Sequence, residues 1–171
     1  ALYYDWDDFG SSFNPKKVII TDALLTANVS ALTVSPFGTT SSILMVGLED
    51  GNLLQAEGDE TGMTWTKITG SEFLGSVSDI EFGKTANEIL VTMHNYGVNN
   101  VFYSSNGGAT WSKKEGDLPD IPVRCILQNP IDPKEVIIGT DLGVWYTKNF
   151  TDSSPNWSQS YNGMSNVKVT D

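Results

Sequence analysis

Three tryptophans, Trp65, Trp111 and Trp157, stand 46 and 46 residues apart, and three glycines, Gly51, Gly97 and Gly143, keep the same two intervals. Two chemically unrelated markers on one period define a structural repeat, and a period of roughly 20 to 50 residues dictates a repeat architecture. Around them one order of elements recurs. An apolar strand begins at Val29, Val77 or Val123, and a second follows at "ILMVGL", "ILVTMH" or "VIIGT". A turn falls on the marker glycine, a third strand runs through "NLLQAE", "NVFYSS" or "GVWYTK", and a loop then leads into the tryptophan strand.

No segment keeps an apolar 3.6-residue period for three turns, while short β-branched and aromatic runs are bounded by Gly, Pro, Asn, Asp and Ser, so the chain reads as all-β. Four short antiparallel strands repeated in tandem predict blades of a β-propeller. Blades stack face to face, which accounts for strands that are almost continuously apolar instead of alternating. The expected layout is a trailing hairpin over 1–18, whole blades over 29–68, 77–114 and 123–160, and the first strand of another blade over 167–171.

Counting five residues back from each aromatic gives Asp8 before Phe13, Glu60 before Trp65, Asn106 before Trp111 and Asp152 before Trp157. The stretches read "WDDFGSSF", "GDETGMTW", "SSNGGATW" and "FTDSSPNW". This pattern resembles the Asp-box, Ser-x-Asp-x-Gly-x-Thr-Trp, of the bacterial-neuraminidase-repeat propellers, a family that includes sialidases, xyloglucanases and sortilin-type receptors. The resemblance covers essentially the whole chain. It implies that the box is the turn between third and fourth strands, where a short acceptor side chain takes backbone N–H groups and glycine supplies positive φ. The departures are Asn106, which is uncharged, Glu60, which is one carbon longer, and Ser154 with Pro155 in place of glycine. The resemblance also implies a secreted or cell-surface bacterial protein.

Composition narrows the partners. With 171 residues, 39% of them hydrophobic, the chain can bury a substantial core. A formal charge of −11 without a basic cluster disfavours nucleic acid and anionic membranes, and the longest apolar runs are too short to span a bilayer. The single cysteine, Cys125, and single histidine, His94, leave no cysteine or histidine metal cluster, and no cofactor or metal is expected. The acidic "DWDD" cluster reads as a solvated loop, with Asp8 assigned to the turn.

In the family the ligand rim lies opposite the box turns. Here that rim brings Phe73, His94, Asn95, Tyr96, Arg124, Tyr161 and Asn162 forward, the aromatics either stacking on a sugar or packing between blades. Its acidic residues Glu72, Asp117, Asp120 and Asp141, with Asp79 on an inner strand, are weak candidates for a glycosidase carboxylate pair. A sialidase arginine triad cannot exist, because Arg124 is the sole arginine. The reading is a non-catalytic module that binds carbohydrate or a peptide, with part of a glycoside hydrolase as the alternative. A sortilin-like peptide site would use Arg124 as its charged anchor. Bare blade edges also predict self-association.

Overall fold

The computed structural model describes the backbone of 2–4 and 17–19, and residues 21–38, 41–59, 62–161, 163 and 167–170. Asp5, Asp7, Asp8, Phe13, Glu60 and Asn162 lie outside the described residues. The described strands are β1 (Leu2–Tyr4), β2 (Lys17–Ile19), β3 (Val29–Val34), β4 (Ser42–Leu48), β5 (Leu53–Asp59), β6 (Gly62–Lys67) and β7 (Val77–Phe82). They continue with β8 (Ile89–Met93), β9 (Val101–Ser104), β10 (Ser112–Lys113), β11 (Val123–Gln128), β12 (Val136–Thr140), β13 (Gly143–Thr147) and β14 (Ser158–Gln159).

β1 and β2 form an antiparallel hairpin, and the remaining strands form three four-stranded sheets in sequence order, β3 to β6, β7 to β10 and β11 to β14. Every neighbouring pair is antiparallel. The inner strands of successive sheets lie side by side, β3 against β7 and β7 against β11. The chain is therefore all-β, a segment of a β-propeller built from consecutive blades.

The same irregularity recurs in each inner strand, where the register shifts between Val29 and Ala31, Val77 and Asp79, and Val123 and Cys125. Such a bulge bends the strand and redirects the following side chain. In β7 that side chain is Asp79, whose carboxylate accepts from the backbone N–H of Ile80 and, at 2.8 Å, from that of Ile126 in the next blade.

Two apolar layers hold the blades together. Ala31, Met45 and Leu53 of the first blade meet Ile80, Val91 and Phe102 of the second. Leu90 and Val101 of the second meet Ile126, Ile138 and Trp157 of the third. Burying each aliphatic side chain in such a layer contributes about 1.5–3 kcal/mol. The marker tryptophans add directed bonds across the same seams. Trp111 Nε1 donates to the carbonyl of Ile68 at 2.9 Å, and Trp157 Nε1 donates to the carbonyl of Lys114 at 3.0 Å. Trp65 packs, half-buried, against Val46, Leu48 and Leu54.

The β9–β10 turn shows why "SSNGGATW" has its composition. Ser104 Oγ accepts from the N–H groups of Asn106 and Gly108, and Asn106 Oδ1 accepts from Ser104 Oγ and from the N–H of Thr110 at 2.9 Å. Gly107 and Gly108 take the left-handed conformations that close the loop, with φ of 69° and 87°. The third blade repeats this network one loop later. Thr147 Oγ1 donates to Asn149 Oδ1, which accepts from the N–H of Asn156 at 3.0 Å. The turn acceptor before Trp157 is thus Asn149 and not Asp152. The loop there is longer than its counterpart before Trp111, so a fixed count back from the tryptophan overshoots the acceptor. Asp152 instead accepts from Asn149 Nδ2 at 2.9 Å, steadying the acceptor from outside.

Candidate functional site

The β4–β5, β8–β9 and β12–β13 turns share one rim, and on it Glu49, His94 and Asp141 hold equivalent places. Each donates its backbone N–H to the carbonyl just ahead of its blade's inner strand: Glu49 to Asn28, His94 to Ser76 and Asp141 to Pro122. The structure brings three of the expected rim residues together here. Arg124 Nε donates to Asp141 Oδ1 at 2.5 Å, and His94 Nε2 lies 3.6 Å from Asp141 Oδ2. That histidine nitrogen is buried and has no hydrogen-bond partner among the described residues. Burial on its own would raise the Asp141 carboxyl; the Arg124 hydrogen bond and charge, aided by His94 and Lys168, outweigh it and hold the carboxyl below the usual range. A guanidinium already spent on a carboxylate is a poor free anchor for an incoming anion.

A cleft of about 430 Å³ opens on the same rim, lined by Gly97, Val98, Asn99, Glu115, Leu118 and Asp120. Its walls are the β8–β9 turn and the connection from β10 to β11. The fully buried Asn100 fixes the turn from below, donating through Nδ2 to the carbonyl of Ile121 at 3.1 Å and accepting from the N–H of Asn95. Asp120 Oδ1 accepts from the N–H of Gly97 at 2.7 Å, and Glu115 Oε2 accepts from those of Asn100 at 2.7 Å and Val101 at 3.1 Å. Burial, the largest influence, pushes the Glu115 carboxyl up; the two N–H groups oppose it and the charge of Asp120 adds to it. Beside the cleft, Tyr96 is 63% exposed.

Other expected site residues are dispersed. Phe73 is buried, its ring centroid 4.6 Å from Phe102 and 5.0 Å from Trp111, so it packs between blades. Asn95 presses its side chain against Gly75, where no Cβ fits. Tyr161 is exposed beyond β14. Asp117 Oδ1 accepts from the N–H of Trp157 at 2.6 Å, Glu72 pairs with Lys113 at 2.7 Å, and Asp79 joins two blades as described above. Candidate carboxylates at Asp79, Asp117 and Asp120 thus each hold a backbone N–H. Glu115 was not singled out by its sequence, where an acidic residue in "KKEGDLPD" reads as solvated surface. Its one signal is its place directly after Lys114, where β10 hands over to the connection.

No protein-family model matches the chain, and no curated protein matches it. Among solved structures it is similar to the GH74 xyloglucanase from Xanthomonas campestris, at 14% identity and a TM-score of 0.49, over 72% of this chain and 22% of that one. It is also similar to the GH74 enzyme of Niastella koreensis, at 12% identity and a TM-score of 0.45, over 80% of this chain and 30% of that one. The chain spans less than a third of the length of either.

Proposed function

We propose that the chain is a non-catalytic, carbohydrate-binding module of Asp-box propeller type, belonging to a secreted or cell-surface bacterial protein. The observation that carries this reading is the cleft between the β8–β9 turn and the 114–122 connection. Two carboxylates there are fixed by backbone N–H groups, and an exposed tyrosine stands beside them. Immobilised acceptors suit sugar hydroxyls, and an aromatic face suits the apolar face of a pyranose ring. Their engagement with the backbone favours holding a ligand over transferring protons.

A glycan array followed by calorimetry on the strongest hit tests it. Tyr96→Ala and Asp120→Asn each weaken binding about tenfold, equivalent to about 1.4 kcal/mol. Failure to retain any glycan, or retention of peptides alone, would overturn the reading.

One observation favours a second reading, a glycoside hydrolase part: Glu115, with its raised carboxyl, shares the cleft with Asp120. A carboxyl raised by burial beside a second carboxylate is the kind of arrangement a glycosidase needs. Release of reducing ends from a bound polysaccharide, abolished by Glu115→Gln, would select it.

A further inference from the structure

The two seams between whole blades are built from the same parts but filled to different depths. At each, the connection entering the next blade makes one tight turn: the N–H of Phe73 donates to the carbonyl of Gly70 at 3.1 Å, and that of Leu118 to the carbonyl of Glu115 at 2.9 Å. The last residue of each turn is buried, Phe73 against Trp111 and Leu118 in the apolar layer that holds Trp157. The loops that lead to those tryptophans differ in length. Trp111 follows Ser104 by seven residues, whereas Trp157 follows Thr147 by ten.

Between the second and third blades the longer loop fills the seam. Its Pro155 is buried, and the Pro155 backbone lies directly over Gly116, where no Cβ fits. Asp117, third in its turn, accepts from the N–H of Trp157 and ties the loop down. Between the first and second blades the shorter loop leaves a cavity of about 500 Å³, walled by the Gly70–Phe73 turn and by Gly108 to Trp111. That volume suits a ligand, since such pockets span about 300–1,000 Å³. Phe73 and Trp111 give it aromatic surface, with ring centroids 5.0 Å apart. Glu72, third in its turn as Asp117 is in the other, reaches Lys113 Nζ at 2.7 Å, and the two side chains are 52% and 50% exposed. An exposed pair of this kind contributes little and opens at small cost.

We propose that the seam between the first and second blades is a docking site for a proline-bearing peptide segment of a partner protein, which fills it as Pro155 fills the next seam. Aromatic walls suit a pyrrolidine ring, whose preset φ leaves little backbone freedom to lose on docking. The opened Glu72 and Lys113 supply an acceptor and a donor for the peptide groups on either side of the proline. The site is separate from the cleft beside Tyr96 and does not depend on a glycan binding there.

A nitrogen-15 NMR titration of the 171-residue chain with the peptide Thr-Asp-Ser-Ser-Pro-Asn, which copies residues 151–156, tests it. The peptide shifts the Trp111 indole N–H and the amides of Ser71, Glu72 and Ala109 saturably, and leaves those of Gly97 and Asn99 in place. Alanine for proline in the peptide weakens binding about tenfold. Two variants close the cavity: Ser71→Trp, and exchange of the 105–110 loop for the sequence of 148–156. Each abolishes the shifts while circular dichroism shows the fold retained. The proposal is overturned by the absence of a saturable shift at about 10 mM peptide, by equal binding of the alanine peptide, or by binding that persists in a folded variant. It is overturned equally if cellotetraose moves the Trp111 signal and the peptide does not, which would make the seam a sugar site.

Discussion

The indole Nε1 of Trp157 donates to the backbone carbonyl of Lys114 at 3.0 Å, tying the outer strand of the third blade to the end of the second. Trp111 makes the same bond to Ile68 one repeat earlier. The repeat is thus marked by tryptophan because the ring supplies both apolar bulk and a donor at a blade seam. Trp157→Phe keeps most of the bulk but leaves the buried Lys114 carbonyl without its partner. The expected loss is about 1–3 kcal/mol, read as a lower urea midpoint at unchanged slope.

The two candidate acceptors of the third turn separate cleanly by mutation. Asn149→Ala removes the acceptor of Asn156 N–H and the partner of Thr147 Oγ1, and costs about 1–2 kcal/mol. Asp152→Ala removes an exposed carboxylate that holds Asn149 Nδ2 and whose charge favours the Lys114 ammonium, while the backbone carbonyl that receives Lys114 Nζ stays in place. Its effect stays within about 0.5 kcal/mol. Thermal melts of the pair check the order, and a larger loss at Asp152 would return the turn to the register counted from the tryptophan.

Asp79 spans the seam between the second and third blades on the inner side. Asp79→Ala leaves the Ile126 and Ile80 N–H groups without this acceptor, with an expected cost of about 1–3 kcal/mol. A spectroscopic consequence accompanies Asp79→Asn. The Glu81 carboxyl is pushed up by burial and, to a lesser degree, by the charge of Asp79. Removing that charge lowers the Glu81 titration midpoint in a carbon-detected NMR titration, and no change there would dissociate the two residues.

The all-β repeat was legible in the sequence because its markers do physical work at every seam, and period survives where local composition varies. What stayed hidden depends on contacts distant along the chain. Phe73 sits in a polar stretch that leaves a ligand platform open beside the preferred packing between blades, and only the β6–β7 connection, which folds it onto Phe102 and Trp111, decides for packing. Lys114 reads as surface but is 5% exposed, its Nζ on the carbonyl of Asp152 at 2.6 Å and over the rings of Tyr103 and Phe150. An extended loop displaced the third turn acceptor from the counted position. Arg124 and Asp141 were both visible as rim residues, but their pairing required the bulge of β11 and the β12–β13 turn to face each other.

Glu115 gives the pH prediction that bears most closely on the cleft. Its folded carboxyl titrates above the ordinary glutamate value of 4.5, mainly because it is buried. The native state therefore holds this proton more tightly than the unfolded chain does. Its stabilising contribution is fully present below about pH 4.5 and is lost as pH rises through the raised folded value. Asp50 and Asp141 act in the opposite sense, since their lowered carboxyls withdraw stability only as pH falls below the ordinary 3.8. The two windows adjoin, so at the acid end of the range the two effects oppose each other. Glu115→Gln removes the ionisation while keeping one acceptor oxygen for the Asn100 and Val101 N–H groups. Urea unfolding across pH 4 to 7 should then show a shallower decline with rising pH for the variant, with Glu81, which is raised in the same direction, contributing to what remains. An unchanged slope would mean that Glu115 ionises as freely in the folded cleft as in the open chain, which would also remove the observation favouring a catalytic acid there.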